Sequence, residues 1–160
     1  MNLFILDRIP KVTAQYHFCS HIRSGIIESI SVMGFAFSEG EFEPWKFINR
    51  KNKHYNHPIC RWVRQNRENF NWTLDYCGAL LDEYTYRTNK IHKSRETFNW
   101  ILNNLPLENL PEGRQTDWPR CFVGCDVEIT DDAVRDYRDY YRRFKMHLFQ
   151  YTKRPKPDWL

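Results

Sequence analysis

Apolar residues recur at helical spacing along most of this 160-residue chain, and a period of three to four residues does not fit a half-buried strand. Val12, Tyr16, Cys19, Ile22, Ile26, Ile30 and Met33 predict a first long helix, with Pro10 in its opening turn and its end near Gly34. Trp62, Val63, Phe70, Leu74, Cys77, Leu81 and Tyr84 predict a central helix through about Arg87, bent near Asn69 to Asn71. Asn56-His57-Pro58 suits its start, with Asn56 as cap and Pro58 preset for an early helical position. A shorter helix follows Ser94 and is ended by Pro106. Thr130, followed by two Asp, opens a last helix carrying Val134, Tyr137, Tyr141, Phe144, Leu148 and Tyr151.

Between these helices lie a short extended segment over Met1 to Asp7, a basic loop from Phe35 to Asn56 and an acidic, Pro-containing connection reaching Ile129. The expected architecture is all-α: a compact single-domain helical bundle over residues 1–160 with long basic and acidic connecting loops. Aromatics at 16% and only six Gly argue for a packed core without staples. Five irregularly spaced cysteines imply free thiols rather than a secreted disulfide framework. The opening apolar run is too short for a signal peptide and no segment is long enough to span a bilayer. The expectation is a cytoplasmic monomer without a membrane partner.

Charge is segregated along the chain. Lys46 to Arg67 holds seven Lys/Arg and no acid, and Arg135 to Lys156 holds eight against two acids, with Tyr and Phe interleaved. Asn103 to Asp132 partly cancels them with seven acids against two bases, leaving a net charge of +4. Basic, ring-rich stretches suit a phosphate-bearing partner, because cations displace counterions while aromatic faces stack on unpaired bases. Nucleic acid is the leading partner; an aromatic core bordered by solvated charges is the alternative.

Four constellations could carry chemistry. His21 and Glu28 lie two turns apart on one helix, where a carboxylate could activate water or stabilise positive charge on a sugar. His57 opens a helix whose free N–H groups, with Arg61 and Arg64, could grip a phosphate backbone. Glu83 to Arg87, then His92, Lys93 and Ser94, form a dense polar run, equally explicable by the helix dipole. In Tyr137 to Lys145, Tyr137 and Tyr141 share one helix face while Arg138 and Arg142 share the neighbouring one. The letters His54-x-x-His57-x-x-Cys60 and His17-x-Cys19-x-His21 lack a standard zinc spacing, and no nucleotide-binding loop is present. No metal or cofactor is expected.

At these residues the chain resembles the bacteriophage-type pyrimidine-dimer DNA glycosylases, also called endonuclease V, and a set of related phage proteins. The resemblance runs in order through Met1 to Asp7, His21 to Glu28, Asn56-His57-Pro58 with Trp62 and Arg64, Glu83 to Arg87 with His92-Lys93-Ser94, and Tyr140-Tyr141. It implies a helical domain that bends double-stranded DNA and displaces a nucleotide from the stack. Glu28 would be the catalytic carboxylate, with His21 and His57 as orienting or proton-transfer groups. Arg23, Arg61, Arg64, Arg87, Lys93, Arg138 and Arg142 would contact DNA, with Tyr140 and Tyr141 near the displaced strand.

Two departures from that pattern stand out. The characterised enzymes use the amine of a processed N-terminal Thr as nucleophile, whereas here Met1 precedes Asn2, a bulky residue that disfavours removal of the Met. Where the phage set carries an Asp-Lys-His run and a further Lys, this chain has Cys19-Ser20-His21 and Ser24. The expected function is a glycosylase acting on a damaged or modified pyrimidine. Its rivals are a transferase that decorates such a base and a catalytically silent DNA-binding or inhibitor protein.

Overall fold

The structure is a computed structural model that describes residues 2–36, 54–104, 106–122 and 124–160. The chain forms α1 (Pro10–Tyr16), α2 (Cys19–Gly34), α3 (Pro58–Val63), α4 (Arg67–Thr88), α5 (Arg95–Asn104) and α6 (Ala133–Phe144). Single 3-10 turns add Leu107–Asn109 and Met146–Leu148, and no strand occurs among the described residues. The all-α expectation holds. α4 is the central helix, with α1, α2, α3 and α5 packed around it. Its approach to α2 depends on Gly25, where a Cβ would meet Leu80 Cδ1 at 3.0 Å. Leu3, Ile5 and Leu6 of the extended opening are fully buried, so this segment threads the core.

Both long helices expected from periodicity are broken. The first divides at His17 and Phe18, which are extended (ψ 143 and 152). Arg87, on α4, donates to the carbonyls of Gln15 at 2.8 Å and His17 at 2.9 Å, while the Tyr141 hydroxyl accepts the Phe18 N–H at 2.9 Å. Backbone groups that a continuous helix would pair internally are satisfied by side chains from elsewhere. The central stripe breaks between Arg64 and Asn66, earlier than the expected bend. Asn66 caps α4 by accepting the Asn69 N–H at 2.9 Å.

The helix starts shift similarly. His57, rather than Asn56, caps α3, its ring Nδ1 accepting the Ile59 N–H at 3.3 Å. Asp132, rather than Thr130, caps α6, and Thr130 instead donates its hydroxyl to buried Asp136 at 2.6 Å. α6 stops at Phe144, short of the expected Tyr151. The chain beyond it turns back to the α1–α2 junction, where Gln150 O accepts the Cys19 N–H and Tyr151 donates to Tyr16 O. α5 and the acidic connection match expectation, while positions 37–53 of the basic loop lie outside the described residues.

Candidate functional site

Glu28 projects from α2 in a half-buried position, and its Oε2 accepts the Asn2 N–H at 2.7 Å. The other carboxylate oxygen has no protein partner among the described residues. Asn2 is itself fixed, donating to Cys121 O at 3.2 Å and accepting from the Tyr137 hydroxyl at 3.0 Å. The fully buried ring of Tyr137 shares that hydroxyl proton with Pro119 O at 2.8 Å. Residues from α2, α6 and the acidic connection thus meet at Asn2, which itself contacts the carboxylate. Because side chains alternate along an extended segment, Asn2 and Phe4 face α2 together while Leu3 and Ile5 enter the core.

His57 joins this centre at one remove. The α3 N-terminus that it caps lies near Cys121, the residue whose carbonyl holds Asn2. Burial, with His54 beside it, pushes the His57 ring below the usual histidine range, favouring a neutral imidazole.

His21 sits elsewhere on α2. The seven-residue spacing to Glu28 corresponds to about 10 Å of helix rise. Its ring stacks on Phe4 with centroids 4.7 Å apart, and its Nδ1 lies 2.7 Å from the Tyr141 hydroxyl. Burial, then Lys145 and His147, lower it to about 4. Tyr140 stacks between Phe122 at 4.9 Å and Phe4 at 6.0 Å, and Tyr141 is fully buried. The two tyrosines expected beside a displaced strand are core residues here, covered by segments distant in sequence.

The basic residues divide into two groups. Arg23 and Lys93 are exposed and converge near His92. Arg61 and Arg64 border an open groove of about 760 Å³ with Gln65, Trp62 and Pro119, and Arg64 also lies over the Tyr55 ring. Arg142 remains half-exposed despite Asp139 at 3.6 Å and Trp159 O at 3.2 Å. Arg87, by contrast, is buried against Glu83 at 2.7 Å as well as the two α1 carbonyls. Arg138 is held by Leu6 O at 2.8 Å and Asp7 at 3.2 Å. In this structure both of these arginines serve the fold, and neither is presented as a free phosphate contact.

None of Asn2, Tyr137, Cys121, His17 and Lys145 was expected as a site residue, although Tyr137, Lys145 and His17 lie in clusters that the sequence singles out. No local signal separates Asn2 and Phe4 from Leu3 and Ile5, because Phe4 continues the apolar run. Among the described residues no group of three or more His, Cys, Asp or Glu is arranged to hold a metal ion, and no helix is long and apolar enough to cross a membrane. Comparison with protein-family models, curated proteins and solved structures finds no match to this chain. The site's chemistry therefore rests on its own geometry: a half-buried carboxylate, oriented by one N–H and with no partner for its second oxygen among the described residues, suited to accept a proton or face a developing cation.

Proposed function

We propose that the protein is a DNA N-glycosylase acting on a damaged or modified pyrimidine, with Glu28 as its catalytic carboxylate. The contact between the residue-2 nitrogen and Glu28 carries this reading. In the family that the chain resembles, an N-terminal amine and a carboxylate work as a pair, and here the residue-2 nitrogen and the Glu28 carboxylate lie 2.7 Å apart. With residue 1 in place the nitrogen is an amide: it donates a hydrogen bond and cannot form a Schiff base. Glu28 then activates water, taking its proton as the oxygen attacks the sugar C1′ and the base departs with the electrons of the N-glycosidic bond. The product is an abasic site in an intact strand. Exposed Arg23, Lys93 and Arg61, with the half-buried Arg64 beside the groove, support a duplex partner, since backbone contacts can offset the cost of displacing a nucleotide.

The test is incubation of the protein with ultraviolet-irradiated, hydroxymethyluracil-containing and unmodified duplexes, with base release, strand scission and DNA mass read together. Released base without scission is the expected result, and Glu28→Gln should abolish it while DNA affinity persists. A borohydride-trapped adduct would show that the nitrogen acts as a free amine, overturning the hydrolytic assignment. A gain in DNA mass would favour the transferase, and binding without any change in the DNA would overturn the enzyme reading.

A further inference from the structure

Where α2 meets α4 and α6, two histidines and two tyrosines are joined by hydrogen bonds whose protons can be assigned by accounting. His17 Nε2 lies 2.6 Å from Tyr76 Oη, and His17 Nδ1 lies 3.4 Å from Tyr141 Oη. Tyr141 Oη also approaches His21 Nδ1 at 2.7 Å and accepts the Phe18 N–H. Each hydroxyl has one proton to give. The Tyr76 side chain is 1% exposed and His17 is its hydroxyl's partner, so the reverse arrangement would leave a buried O–H without an acceptor. Tyr76 therefore donates to His17 Nε2. His17, neutral because burial, His21 and Arg87 all lower it, carries its proton on Nδ1 and donates to Tyr141. Tyr141 in turn donates along its short contact to His21 Nδ1.

The chain ends on a neutral His21 with its proton on Nε2. His21 is only 8% exposed, yet this N–H has no acceptor among the described residues. Among the described residues the unpartnered buried side-chain nitrogens belong to Trp118 and Trp159, and His21 Nε2 is not one of them. The charged groups bearing on the ring are basic. Lys145 and His147 follow α6, and His17 lies beneath. The Lys145 ammonium stands 5.8 Å from the Phe4 centroid and 5.1 Å from that of Tyr140, beside the ring that stacks on His21.

We propose that His21 Nε2–H and Lys145 form a binding corner for one phosphate group, with Tyr76, His17 and Tyr141 as positioning residues that hold His21 as a donor. Resting on the nucleic-acid reading above, the phosphate is a diester of the DNA strand. His21 and Glu28 contact different residues of the opening segment, Phe4 and Asn2. The strand is gripped at His21 while Glu28 addresses a sugar displaced along α2. His21 thus acts by donating a hydrogen bond to the backbone rather than by exchanging a proton with Glu28. A neutral donor beside a cation suits a diester, which carries one negative charge and needs both directionality and attraction.

The experiment is nitrogen-15 NMR of the histidine rings in the full chain at pH 7, titrated separately with inorganic phosphate and with a thymidine dinucleotide diester. His21 should show a protonated Nε2 and an unprotonated Nδ1, and both probes should shift Nε2. Lys145→Ala should weaken binding about tenfold with the tautomer unchanged, as expected for a lost charge-assisted contact. Tyr141→Phe should release His21 into a mixture of tautomers and weaken binding with Lys145 intact. A proton on Nδ1 in the native protein, or an Nε2 signal unmoved by either probe, would overturn the corner; a response to inorganic phosphate alone would overturn the strand assignment. Should base release fail while Nε2 still responds to the diester, the glycosylase reading falls and the corner stands.

Discussion

The two ends of α2 are polar in opposite ways. Near its start, His17, His21, Tyr76 and Tyr141 form a hydrogen-bonded network whose open end is His21 Nε2, and Arg87 locks the α1–α2 break by pairing with Glu83 and two carbonyls. Arg154 adds a second guanidinium to Glu83 at 2.9 Å. Two turns beyond His21, Glu28 makes one hydrogen bond among the described residues and has no partner there for its other oxygen. Saturated polar groups hold a structure, because every alternative arrangement leaves a buried group unpaired. An incompletely satisfied carboxylate at a half-buried site adds little to stability and is left able to react.

The largest effect should come from breaking the lock. Glu83→Ala would leave Arg87 buried without its carboxylate and free Arg154, and buried pairs broken on one side cost about 3–5 kcal/mol. Urea unfolding measures this directly. A loss below about 1 kcal/mol, the range of exposed pairs, would mean that the cluster is peripheral.

Next is pH. His21 titrates at about 4 in the folded protein against 6.5 when unfolded, so the unfolded chain binds more protons between these values. Stability is complete above pH 6.5 and falls as pH drops toward 4, with His17 acting in the same direction. By linkage, His21 alone accounts for roughly 3 kcal/mol. Unfolding midpoints measured from pH 7 to pH 4 should decline accordingly, and His21→Phe should flatten the curve. A native-protein profile level over that window would contradict the neutral network.

These two predictions also mark what was legible in the sequence. Helical periodicity located every packed stripe, because burying an apolar face is a local pattern. It did not locate the breaks, because the groups that stabilise them come from far along the chain: Arg87 is 70 residues from His17, and Tyr141 is 123 from Phe18. For the same reason Tyr140, expected from the resemblance beside a displaced strand, is covered instead by Phe4 and Phe122. Glu28 and His21 could be selected from their spacing on one helix. That Asn2 would meet the first and Phe4 the second depended on where the opening segment lies.

Glu28→Gln sharpens the contrast with Glu83→Ala. The amide keeps an oxygen to accept the Asn2 N–H and buries no charge, so stability should change by less than about 1 kcal/mol. Base release should fall at least about a hundredfold, the usual contribution of a general base. Destabilisation comparable to that of Glu83→Ala would place Glu28 among the structural acids and remove the physical basis for its reactivity.

The smallest change in stability should come at Arg61, and the comparison there is with Arg138. Arg61 is exposed beside the open groove, whereas Arg138 ties α6 to the opening segment through Leu6 O and Asp7. Arg61→Ala should stay within about 0.5 kcal/mol of the native stability. If Arg61 contacts one phosphate, the same change should lower the slope of log affinity against log salt by about 0.9, since one fewer counterion contact is lost on binding. Arg138→Ala should do the reverse, costing about 1–3 kcal/mol through the carbonyl and carboxylate left without their donor, with no change in slope. An Arg138 variant that kept full stability but lost salt dependence would return that arginine to the DNA surface where the sequence alone had placed it.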